Sequence, residues 1–87
     1  MRANLKKWVK ERNEMLKKCD INELRKFIAE HPETYGEMFR ETISKASDAV
    51  LEITLHKMIV NVPKLPKDLR DKSALWLLVH GYDLNIS

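Results

Sequence analysis

Two glycines in a chain of 87 residues leave few places where the backbone can turn tightly, and this constrains the fold more than any other feature. Two-residue hairpins need glycine at their positive-φ positions, and phosphate-cradling loops need it for close backbone approach. A chain this poor in glycine is therefore expected to be helical.

The rest of the composition fits that expectation. Apolar residues make up 44% and charged residues 33%, the balance of a folded domain rather than a disordered segment. The length suits one domain, residues 1–87. A domain this short buries only roughly 60–65% of the surface its unfolded chain exposes, so its stability margin is thin and self-association is a common remedy. A single cysteine, Cys19, rules out an internal disulfide and a cysteine-based metal site. No apolar run approaches the roughly 20 residues that span a bilayer. The basic amino-terminal stretch also lacks the apolar core of a signal peptide, so a cytoplasmic protein is expected.

Apolar spacing then places the helices. From Ala3 to Lys18, Leu5, Trp8, Val9, Met15, Leu16 and Cys19 fall within an arc of about 120° at 100° per residue. Arg12 projects from the middle of that arc. Asp20 is placed to cap a second helix, with Glu23 completing an acidic capping box and Ile21, Leu24, Phe27 and Ile28 as the apolar face. His31-Pro32 ends it, because a residue before proline is pushed out of α geometry, and Pro32 suits the first turn of the next helix. From there to Val60 an apolar stripe about 140° wide runs through Tyr35, Phe39, Ile43, Ala46, Val50, Ile53 and His56, which predicts a long central helix over 32–61. Ser47 offers an alternative start that would split it. After Asp48 the back of this segment also turns apolar, with Leu51, Leu55, Met58 and Ile59.

A competing α+β reading stays open. Residues 51–56 alternate with period two, the run to Val62 is rich in β-branched residues, and Tyr82, Leu84 and Ile86 alternate as well, so short strands near 51–60 and 82–86 are the alternative. The preferred fold is all-α, a compact bundle of four to five helices. Pro66 opens its last helix, with Asp68 and Asp71 near the positive end and Leu69, Leu75, Trp76, Leu77, Leu78 and Val79 as much of its apolar surface. Gly81 follows as the helix stop. The stretch Leu77–Asn85 resembles the exit of the second helix of an ankyrin repeat. No 33-residue period and no Thr-Pro-Leu-His opening accompany it, so the resemblance implies a shared way of ending a helix and no function.

Chemistry-bearing patterns are sparse. His31, His56, His80 and Cys19 show no paired spacing for a metal, and no cofactor or small-molecule ligand is implied. Ser44, Ser47 and Ser73 sit in ordinary helical sequence without a nucleophile elbow, so no catalytic role is expected. Charge is more informative. Residues 1–26 hold nine basic and four acidic side chains, residues 27–56 two and six, and residues 57–87 five and three, which suggests attraction between the first two regions within one molecule or between two.

A non-enzymatic interaction or regulatory protein is therefore expected, acting on itself as a homo-oligomer or on another protein. Its candidate interface is Leu51, Leu55, Met58 and Ile59, with the acidic Glu33, Glu37 and Glu41 beside it and Arg12 as a charge in need of a partner. The alternative is a nucleic-acid-binding protein using Lys6, Lys7, Lys10, Lys17 and Lys18. A helix-turn-helix over 20–46 is disfavoured because Glu33, Glu37 and Glu41 occupy the would-be recognition helix. Trp8 on a basic helix could mark a membrane surface, but core packing accounts for it more simply, and no membrane partner is expected.

Overall fold

The computed structural model describes residues 2–85, with side chains described from Leu5 onward; Ile86, part of the proposed carboxy-terminal alternation, lies outside them. Five helices follow one another: α1 (Arg2–Lys18), α2 (Ile21–Ala29), α3 (Glu37–Lys45), α4 (Asp48–Val60) and α5 (Lys67–Val79). The protein is all-helical, and no strand occurs among the described residues. Residues 51–60 lie within α4, because burial of Leu51, Leu55 and Ile59 at i, i+4 and i+8 rewards the helical period over the alternating one.

The breaks between helices have local causes. Cys19 closes α1 in the left-handed region (φ 50°), its N–H bonded to the Leu16 carbonyl. Asp20 caps α2 by accepting from the Asn22 N–H at 2.8 Å. The expected capping box does not form: Glu23 instead meets the Lys18 ammonium at 2.8 Å, a charged partner that outcompetes a neutral amide. Nor does Pro32 start a helix. The N–H groups of Thr34 and Tyr35 both bond the His31 carbonyl in a turn, and α3 begins only after Gly36.

The expected long helix over 32–61 is two helices. Ala46 and Ser47 are extended (ψ 147° and 162°), and the Ser47 hydroxyl accepts from the Val50 N–H at 3.3 Å to start α4 afresh. Arg25 of α2 holds the break open by donating to the Ala46 carbonyl at 3.2 Å and approaching Asp48 at 3.6 Å. The apolar stripe continues across the joint because both helices face one core, although their axes differ. Beyond α4, Val62 and Leu65, which precede Pro63 and Pro66, fold back into the core, and Arg70 donates to the Leu65 carbonyl at 3.0 Å.

The central element is thus α4, shorter than expected. It packs most extensively on α5, then on α2 and α1, while α2 also packs on α1 and α3. The core comprises Met15, Leu16, Leu24, Phe27, Ile28, Ile43, Leu51, Leu55, Ile59, Val62 and Leu65. Gly81 at φ 83° ends α5 in a Schellman motif, with Tyr82 N–H bonded to Leu77 O and Gly81 N–H to Leu78 O, which realises the expected stop.

Candidate functional site

The candidate apolar interface is spent inside the monomer. Leu51, Leu55 and Ile59 are 0%, 1% and 0% exposed, and Met58 is half-buried against them. They fail as a docking surface for a plain reason: they belong to the core with Leu16, Leu24 and Ile28 of α1 and α2, while α5 also packs on α4. That helix–helix seam also holds a polar pair, His56 Nδ1 and Ser73 Oγ at 2.9 Å. The His56 ring stacks on Trp76, Trp76 stacks on His80, and Tyr82 lies beyond. Burial pushes the His56 pKa below its ordinary value, Glu52 opposing and His80 adding to the shift. Ser73 is buried, so the pair joins two helices and gives a substrate no approach to Oγ.

Covering α4 leaves the far side of α5 bare. Leu75, Leu78 and Val79 recur at i, i+3 and i+4 on its outer face and are 63%, 59% and 72% exposed, and Tyr82, just past the helix stop, is 40% exposed. This row was missed because the helix was expected to bury its whole apolar run against α4. A signal was present: the unbroken run Leu75–Val79 circles the helix at 100° per residue, and one neighbour covers only one side.

The candidate lysines separate onto two flanks of α1. Lys7, Lys10 and Lys18 line a groove toward α2 that also holds Glu11, Glu14, Glu23, Lys26 and Glu30, four lysines against four glutamates. Lys6 and Lys17 lie on the other flank, in a shallow groove that Lys10 also borders, with Leu5, Val9, Asn13, Glu14 and Lys64. Lys64, from the proline-rich connection before α5, belongs to this cluster and no sequence spacing relates it to α1.

Among the described residues Arg12 meets no carboxylate. Its guanidinium donates twice to Asn13 Oδ1, at 3.2 and 2.9 Å, and lies 5.2 Å from the centre of the Trp8 ring. Trp8 is half-buried beside Phe27 and Tyr35 and packs on the core, as its position in the apolar arc suggested. Glu33, Glu37 and Glu41 are exposed, and Glu41 is held by Lys45 at 2.8 Å. Among the described residues Arg25–Asp48 is the one ion pair joining the basic first region to the acidic second. Cys19 is a free, exposed thiol. Among the described residues no three metal-binding side chains are grouped, and no helix is long and apolar enough to cross a membrane.

These surfaces and this fold define a small helical domain with a bare apolar face on α5 and a lysine-lined flank on α1. Compared with known proteins, the chain matches no family model, no curated protein and no solved structure.

Proposed function

We propose that the chain is a small non-enzymatic interaction protein that pairs with a second copy of itself through the outer face of α5. The observation behind this reading is the exposed row Leu75, Leu78 and Val79, three large apolar side chains on one helix face, with Tyr82 exposed just beyond its end. The row fits its own copy. In an antiparallel pairing about a two-fold axis near Leu77, Leu75 meets Val79 of the second copy and Val79 meets Leu75. Antiparallel helices also place opposite dipole ends together.

Magnitudes favour a dimer of moderate affinity. Each buried large apolar side chain contributes at most about 1.5–3 kcal/mol, less here because each is already partly covered. Summed over two copies, this is of the same order as the roughly 4–15 kcal/mol of association cost. Light scattering on a size-exclusion column, run across a concentration series, tests the pairing. Wild type is expected to move from monomer to dimer as concentration rises, with little response to salt, and Val79→Glu is expected to remain a folded monomer throughout. Wild type that stays monomeric at every concentration, or a Val79→Glu variant that still pairs, would overturn the reading.

A further inference from the structure

The lysine-lined flank of α1 has features that pairing through α5 does not use. Lys6, Lys10 and Lys17 rise along α1 at intervals of four and seven residues, spanning about 16 Å at 1.5 Å per residue, and Lys64 joins them across the groove. Among the described residues Lys6, Lys10 and Lys64 have no ion-pair partner. Lys17 reaches Glu14 only at 3.5 Å, between exposed side chains where such a contact is weak. Within this groove four ammonium groups meet one carboxylate, Glu14. The α2-facing groove, which Lys10 also borders, holds as many glutamates as lysines, and Lys18 there pairs with Glu23. Net positive charge is concentrated on one side of α1, in a row.

A row of unpaired ammonium groups at intervals of roughly 6–10 Å suits an extended anion with regularly repeated charge. We propose that the groove of Lys6, Lys10, Lys17 and Lys64 binds the phosphodiester backbone of a nucleic acid without reading its sequence. Lysine serves as a point charge toward phosphate, and among the described residues the groove holds no arginine or glutamine for bidentate reading of a base edge. Backbone contact without base readout follows from that composition. A membrane surface fits less well: among the described residues lining this groove, Leu5 is the one large apolar side chain that stands exposed, too little to enter the acyl boundary. The proposal is independent of the α5 pairing, because α5 contributes no residue to the groove.

The test is fluorescence anisotropy with short labelled duplex DNA, single-stranded DNA and single-stranded RNA, titrated between about 50 and 200 mM salt. If four lysines each neutralise one phosphate, the logarithm of the binding constant for duplex falls with the logarithm of salt at a slope near −3.6, or about −2.8 for a single strand. Lys10→Glu with Lys64→Glu is expected to weaken binding at least tenfold at low salt and to lower the duplex slope by about 2. Lys7→Glu with Lys26→Glu makes the same change in net charge on the opposite flank and should leave the slope near its wild-type value. Alanine in place of glutamate at Lys10 and Lys64 gives the same ordering if the reversed charges disturb folding, which circular dichroism reports. Equal losses in the two double variants would mean diffuse attraction with no site, and overturn the proposal. So would absence of binding to all three probes at the lowest salt, or tighter binding to phosphatidylserine vesicles than to any of them.

Discussion

Helices α4 and α5 have the same length, thirteen residues each, and both carry apolar side chains around most of their circumference, yet only α4 is enclosed. The difference lies in their neighbours. α4 is covered by α5 on one side and by α2 and α1 on others, so Leu51, Leu55 and Ile59 all reach the core. α5 is packed mainly against α4, so Leu77 and Ser73 are buried while Leu75, Leu78 and Val79 stand in solvent. Apolar composition alone therefore does not distinguish a central helix from a peripheral one with a face to spare. Position in the packing order does.

Alanine truncation breaks this comparison most sharply. Leu55→Ala removes a fully enclosed side chain and is expected to cost about 3–5 kcal/mol. That is a large part of the total for a domain this size, roughly 4–13 kcal/mol at 0.05–0.15 kcal/mol per residue. Leu78→Ala, on the open face of α5, should change the stability of the monomer by about 0.5 kcal/mol or less. Urea unfolding at a concentration below dimerisation measures both. Similar losses at the two positions would show that Leu78 is as enclosed as Leu55.

A smaller effect is expected where α5 ends. Gly81 sits at φ 83°, in open space but in a conformation that side-chain-bearing residues resist. Gly81→Ala should destabilise by about 1 kcal/mol through backbone strain alone, with no change in contacts. An unchanged unfolding midpoint would mean that the Schellman stop contributes nothing to holding α5 against α4.

The same contrast explains what the sequence made legible. Helical periodicity, the Asp20 and Ser47 caps and the Gly81 stop are local, written within a few residues, and they account for the all-helical fold and most helix ends. The joint at Ala46–Ser47 was ambiguous because the apolar stripe runs on through it; Arg25, twenty-one residues away, bonds the Ala46 carbonyl there. The candidate surfaces depend on non-local facts almost entirely. Whether Leu77 or Leu78 faces water is decided by where α5 docks, and Lys64 joins Lys6 and Lys10 only through the path of the 61–66 connection.

The seam between α4 and α5 should also make stability depend on pH. His56 is half-buried there, bonded to Ser73 and stacked on Trp76, with Glu52 on its own helix and His80 of α5 as the charged or titratable neighbours. Burial lowers its pKa in the folded state beneath the ordinary value of 6.5, more than Glu52 restores. The unfolded chain therefore takes up this proton first as pH falls. By linkage, the His56 contribution is fully present above pH 6.5 and is lost progressively as pH drops through and below that value. His56→Gln keeps a polar group able to meet Ser73 and removes the titration. Urea midpoints of wild type should decline between about pH 7.5 and 5, while those of the variant decline less, the remainder coming from groups common to both. Parallel pH profiles for the two proteins would mean that protonated His56 is as well accommodated between α4 and α5 as the neutral ring, and that the seam is wetter than its packing implies.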